Sequence, residues 1–247
     1  MYFLSCFTFY KSNIVLLKYA GRYFMLFVLL GGCMRQKCDD CLNQPAGSAF
    51  FPTEVGRFVE YNVREEAYTL DGSVAVRQYQ LKEVVAERYT DPTGKATYRI
   101  ARFRRSAEGQ RWQADSTITL RLLTDHAVRN ENGKDYVKML FPPAEMNVWN
   151  GNLYNNAGED NYELKNVNKP YTSGTTTFDQ TATVIQQNDS TLVNQDKRVE
   201  VYAAEVGLVY RERIQLQFCS SSPACVGKAK IDFGTRQYFR FKTAGKE

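Results

Sequence analysis

The chain holds one histidine, His126, in 247 residues. A His-Glu-x-x-His zinc helix needs two imidazoles on one face and is excluded. A Ser-His-Asp arrangement could draw only on His126, and no Gly-x-Ser-x-Gly turn presents a nucleophile to it. A phosphate-cradling Gly-x-x-x-x-Gly-Lys loop and a dinucleotide fingerprint are also missing. None of these motifs therefore supplies a catalytic residue, a metal site or a cofactor site. No run reaches the roughly 20 apolar residues of a membrane-spanning helix, since Lys18 and Arg22 interrupt the longest apolar stretch. Neither sign of charge dominates, with 32 basic residues against 27 acidic ones. Arg102, Arg104 and Arg105 are interleaved with apolar neighbours and answered elsewhere by Glu65, Glu66, Glu83 and Glu87. That is not the clustered basic footprint of a nucleic-acid binder. Tyr98 and Phe103 beside these arginines read as a solvated strand face.

What is present begins with an address. Residues 1–32 carry Lys11, Lys18 and Arg22, no carboxylate, and the apolar segment Tyr23 to Leu30. A basic region followed by a short apolar one has the form of a cleaved leader. Leu29-Leu30-Gly31-Gly32-Cys33 then resembles the lipobox of bacterial lipoproteins, in which the Cys receives a diacylglycerol and becomes the mature N-terminus. The resemblance implies lipidation at Cys33 and attachment to a membrane through that lipid. Met34 stands where an Asp would favour inner-membrane retention, which points to the outer membrane, facing the periplasm. Removing the leader takes away three cations and no anion, and the formal charge falls from +5 to +2.

The expected organisation is a signal peptide over 1–32, a flexible tether over 33–49 and one folded domain over 50–247. The tether is polar and ends in Asn43-Gln44-Pro45-Ala46-Gly47-Ser48, a composition that buries too little apolar surface to order itself. The domain alternates with period two. Ile118, Leu120 and Leu122 oppose Thr117, Thr119 and Arg121; Ile214, Leu216 and Phe218 oppose Arg213, Gln215 and Gln217. Val59, Tyr61 and Val63, the pair Tyr98 and Ile100, the pair Val199 and Val201, and Phe239 with Phe241 repeat the pattern. These are half-buried strands. Turn signals at Asp71-Gly72, Pro92-Thr93-Gly94, Glu108-Gly109, Asn132-Gly133 and Ser173-Gly174 separate them. The fold class is all-β: an antiparallel curved sheet forming a barrel, half-barrel or sandwich.

Residues 141–177 look less regular, with Pro142-Pro143, Trp149-Asn150-Gly151-Asn152 and Tyr154-Asn155-Asn156. Loops of that length in compact domains are often functional. Trp149 and Tyr154 are the candidate ligand-binding residues, at the mouth of the concave sheet. The alternative is that Trp149 plugs the open end of the sheet. Of the six cysteines, Cys6 leaves with the leader and Cys33 takes the lipid, leaving Cys38, Cys41, Cys219 and Cys225. In an oxidising compartment Cys219 and Cys225 can close a small loop, and Cys38 with Cys41 a second one. The Cys38-x-x-Cys41 spacing also occurs in redox motifs, although those usually sit at a helix N-terminus that activates the thiol. A four-thiolate zinc site is disfavoured, because five residues separate the second pair where two to four are usual.

Phe50-Phe51-Pro52-Thr53-Glu54-Val55-Gly56-Arg57-Phe58-Val59-Glu60-Tyr61 and Glu205-Val206-Gly207-Leu208-Val209-Tyr210-Arg211-Glu212 resemble the opening and late motifs of a group of uncharacterised Gram-negative lipoproteins with a secreted all-β domain. That resemblance implies a periplasmic or surface β domain and no known catalytic residue. The expected function is a membrane-anchored lipoprotein of the cell envelope, binding an apolar ligand or an envelope protein, or serving a structural role, without catalysis. Two alternatives remain: a glycan hydrolase using loop carboxylates such as Glu159 and Asp160, and a thiol-redox protein using Cys38 and Cys41.

Overall fold

The computed structural model describes residues 46–247. Cys33, Cys38 and Cys41, together with the leader and most of the tether, lie outside the described residues. The described chain consists of one 3-10 turn, Ser48–Phe50, and twelve strands. The first six are β1 (Arg57–Tyr68), β2 (Val74–Thr90), β3 (Ala96–Arg105), β4 (Gln113–Leu122), β5 (His126–Glu131) and β6 (Lys134–Leu140). The second six are β7 (Val148–Asn150), β8 (Asn161–Ser173), β9 (Thr176–Ser190), β10 (Asn194–Ala203), β11 (Gly207–Phe218) and β12 (Ile231–Lys246).

Every strand pairs antiparallel with its neighbour in sequence except β6 with β7. The first and last strands pair with each other from Arg57↔Lys246 to Tyr68↔Gly234. Between β6 and β7 the ladder is replaced by two bonds: the Val137 amide donates to Gly151 O at 2.9 Å and the Trp149 indole Nε1 donates to Val137 O at 2.9 Å. The up-and-down sheet is thereby nearly closed into a barrel, which removes long exposed edges.

The alternation expected for β4 and β1 points as read: Ile118, Leu120, Tyr61 and Val63 are buried in the main core with Leu81, Ile100 and Phe239. On β10 and β11 the apolar residues face the other way. Tyr202 belongs to the main core, whereas Val201 and Ala203 belong to a second cluster with Val209; successive strand residues point to opposite faces. The second cluster is covered by the far part of the β8–β9 hairpin. Asn166 and Asn168, both at positive φ, turn that hairpin over the sheet. Tyr171 then packs on Tyr210 at 5.9 Å between ring centroids, and Ser173 Oγ donates to Val209 O at 3.2 Å. Ile214, Leu216 and Phe218 form a third cluster with Tyr68, Ile231 and Tyr238.

Two further expectations are corrected. Residues 141–177 are not a long loop: β7, β8 and the start of β9 lie within them. Asn-rich segments such as 166–168 supply a bend inside a strand pair, which reads as loop composition in the sequence. The packed domain also begins before Phe50. Ser48 is buried, and Gly47 sits so close to Pro143 and Phe141 that a Cβ there would come within 2.5 Å of the Pro143 ring.

Cys219 and Cys225 are joined as a disulfide, with Cα atoms 5.7 Å apart. The bond staples the loop between β11 and β12, at the end of the barrel away from Phe50 and Phe51.

Candidate ligand-binding site

The interior of the barrel is charged at mid-height. Six strands aim ionised side chains inward: Glu83 from β2, Arg102 from β3, Arg129 and Glu131 from β5, Lys138 from β6, Glu200 from β10, and Arg211 and Arg213 from β11. Glu83 accepts from Arg102 Nη2 at 2.7 Å and from Arg129 Nη2 at 2.5 Å. Glu131 meets Arg211 Nη2 at 3.0 Å, Arg129 Nε at 3.2 Å and Lys138 Nζ at 3.3 Å. Glu200 meets Arg211 Nη2 at 2.7 Å and Lys138 Nζ at 3.0 Å, and accepts from the Tyr202 hydroxyl at 2.7 Å. The contacts from β5 and β6 to β10 and β11 cross the lumen, so the barrel is filled by these side chains instead of holding an open channel.

Burial would raise the carboxyl of Glu83, but the charges of Arg129 and Arg102 outweigh it and hold the group down at about 2. Glu131 is treated the same way: burial opposes ionisation, while Arg211, Lys138 and Arg129 drive its carboxyl well below the ordinary range. Lys138, almost wholly enclosed, is lowered first by burial, with Glu131 and Glu200 acting against the shift. Burial also pushes the hydroxyls of Tyr61 and Tyr202 upward, which keeps both as neutral donors. Tyr61 donates to Leu208 O at 3.0 Å.

Above this belt lies a cavity of about 380 Å³. Its floor is Glu83, Arg129, Tyr61 and Tyr202, its walls include Phe58, Val85, Ile100 and Leu120, and its rim is formed by Glu54, Arg57, Glu205 and Lys246. The N-terminal segment Phe50-Phe51-Pro52 forms one side. Phe51 is wedged against Tyr202 at 4.9 Å and Phe141 at 6.1 Å between ring centroids. A half-open cleft of this size with apolar walls and several polar groups is a usual form of a small-molecule site.

The structure does not bring the two candidate ligand residues into this cavity. Trp149 is buried at the β6–β7 seam, its ring edge-on to Tyr162 at 6.0 Å. Tyr154 lies on the β7–β8 loop, stacked on His126, with its hydroxyl 3.0 Å from His126 Nε2. His126 Nδ1 in turn lies 2.7 Å from the exposed Asp125. Of the loop carboxylates, Asp160 is held by both terminal nitrogens of Arg198 at 2.7 and 3.1 Å, and Glu159 accepts from Asn161 Nδ2 at 2.9 Å. Arg104 lies 3.9 Å from Asp115, and Arg105 lies 2.7 Å from Glu108 and 3.7 Å from Glu60.

Sequence reading missed the charged belt. The signal was there in Leu81-x-Glu83-x-Val85 and Glu200-x-Tyr202, where a carboxylate shares a strand face with core residues. It was obscured on β10, where Val199 and Val201 alternate as cleanly as Glu200 and Tyr202 do and would be taken for the inner face.

Among known proteins, no family model matches the chain and no curated protein matches it. A solved structure of a candidate lipoprotein from Parabacteroides distasonis is similar over 79% of this chain and 98% of that one, at 12% identity and a TM-score of 0.32.

Proposed function

We propose that the protein is a lipid-anchored β-barrel of the cell envelope that holds a small, largely apolar ligand in the cavity at the barrel mouth and performs no chemistry on it. The observation that carries this reading is the cavity itself, walled by Phe58, Val85, Ile100 and Leu120 and bordered by the segment through which the chain enters the domain. The anchor rests on Leu29-Leu30-Gly31-Gly32-Cys33. The ionisable groups near the cavity favour holding over reacting. Glu83, Glu131 and Glu200 are fixed as carboxylates by several cations each, and a base so strongly stabilised in its ionised form is a poor proton acceptor.

The localisation half of the proposal is an outer-membrane anchor with the domain in the periplasm. Intact mass and membrane fractionation of the protein expressed in a Gram-negative host, beside Cys33→Ser, test it. A diacylated N-terminus and membrane recovery, both lost in the variant, are expected. An unmodified, soluble wild-type product would overturn the anchor. Organic extraction of the purified protein followed by mass spectrometry tests the other half. A small amphiphile recovered in stoichiometric amount from wild type, and lost when Ala244 at the rim is replaced by Trp, is the expected result.

A further inference from the structure

The charge around the cavity is unevenly distributed, and the unevenness says what the ligand carries. At the rim, Arg57 and Lys246 are matched by Glu54: Arg57 Nε lies 3.5 Å from its carboxylate, and Lys246 contacts it directly. Glu205 is a second rim carboxylate, so two cations face two anions and the rim favours neither sign. At the floor itself Glu83 and Arg129 match, but the belt to which they belong is different. Among the described residues, the belt sets Arg102, Arg129, Lys138, Arg211 and Arg213 against Glu83, Glu131 and Glu200. Five cations face three carboxylates, and two positive charges are left over. The surplus is also visible as unmet hydrogen-bonding capacity: the buried Nε atoms of Arg129, Arg211 and Arg213 have no hydrogen-bond partner. Arg129 is the one of these three that lines the cavity. Its Nε lies 3.2 Å from Glu131 but out of line for a hydrogen bond. Uncompensated charge and an unpaired donor at low dielectric are costly unless something answers them.

We propose, on the reading that the cavity is a ligand site, that its ligand is a single-chain carboxylic acid. The carboxylate sits head-down against Arg129 at the floor, and the hydrocarbon lies along Phe58, Val85, Ile100 and Leu120 toward the rim. A carboxylate supplies the acceptor that Arg129 Nε lacks and halves the surplus charge of the belt. The tail replaces water on walls that offer it no hydrogen bonds. A zwitterionic head group fits less well, because its cation would be set against the positive surplus of the belt.

The test is isothermal titration calorimetry of decanoate and decan-1-ol, two probes with the same chain and different heads. The full chain carrying Cys33→Ser is used, so that no acyl group of its own competes. Decanoate is expected to bind about tenfold more tightly than decanol, the ratio that one favourable charge contact of ordinary strength gives. Arg102→Gln, at the partly exposed margin of the belt, is expected to weaken decanoate several-fold and leave decanol unchanged. Ala244→Trp, at an exposed rim position, is expected to abolish both. If decanol binds as well as decanoate, the acid is overturned while the cavity stands as a neutral apolar site. If neither probe binds, the cavity reading falls as well. If Ala244→Trp leaves decanoate binding intact, the acid binds elsewhere and the proposal fails.

Discussion

Lys138 and Glu200 show what the interior belt demands of single residues. Each has about 1% of its side chain exposed, and at that depth an ionised group is stable only while its partners remain. Removing one member of a buried pair typically costs about 3–5 kcal/mol, most of it from stranding the survivor. Lys138→Met and Glu200→Gln should each lower the unfolding free energy by about that much in urea titrations, and the double variant should lose less than the two losses added together. The belt also sets the response to acid. The Glu83 carboxyl is depressed from 4.5 to about 2 in the folded protein. A depressed carboxylate contributes stability that is complete above its unfolded value and is lost as pH falls through the folded one. Stability should therefore decline between about pH 4.5 and pH 2, by up to roughly 3 kcal/mol for this group. In Glu83→Gln that share of the slope should vanish, as followed by thermal unfolding across the same range. None of these residues stood out in the sequence as a site, because a lone Glu or Lys within a strand is most often on the wet face. Only the cross-lumen geometry makes them a network.

At the scale of elements, the alternating strands were largely legible and the seam was not. Period-two runs located β1, β4 and β11 because each buries one continuous face. The β7 strand has three residues, too few for any period, and β8 carries polar residues where it bends. What closes the barrel is therefore a pair of bonds that no pattern announces. Trp149 donates across the seam, and Gly151 accepts from Val137. A Cβ on Gly151 would fall within 2.6 Å of three ring atoms of the buried Tyr162. Gly151→Ala should therefore push β7 off its neighbour. The expected cost is about 1–3 kcal/mol, with faster hydrogen exchange at the Val137 amide. Trp149→Phe keeps most of the packing and removes one bond, so its effect should be nearer 1 kcal/mol. Unchanged exchange at Val137 in both variants would mean that the seam does not hold the barrel closed. The disulfide pairing of Cys219 with Cys225, by contrast, was readable from spacing and compartment alone. It sits in a loop and does not depend on which face of a strand is inside.

For the whole molecule, the two ends of the barrel differ, and the difference follows from where the chain comes in. Phe50, Phe51 and Pro52 line the cavity, so the N-terminal approach and the mouth share an end. The β9–β10 turn and the disulfide loop lie at the other end, since antiparallel neighbours alternate direction along the meander. Fourteen residues lead from Cys33 to Gly47. A chain of that length spans at most about 50 Å when extended and about 20 Å as a random coil. A twelve-residue strand is itself about 40 Å long. If Cys33 carries the lipid as proposed, a tether of this length would favour the mouth being nearer the bilayer than the far end. A ligand drawn from the membrane would then have a short path into the cavity. The arrangement can be tested in vesicles holding the lipidated chain with Cys38 and Cys41 replaced by Ser, using a bilayer-confined quencher. A fluorophore on Ala244→Cys, at the mouth, should be quenched at least about twofold more than one on Leu192→Cys in the β9–β10 turn, given those lengths. Equal quenching would mean that the domain tumbles freely about its anchor, and stronger quenching at position 192 that it docks the other way up. Either result would separate the cavity from the membrane as its source of ligand.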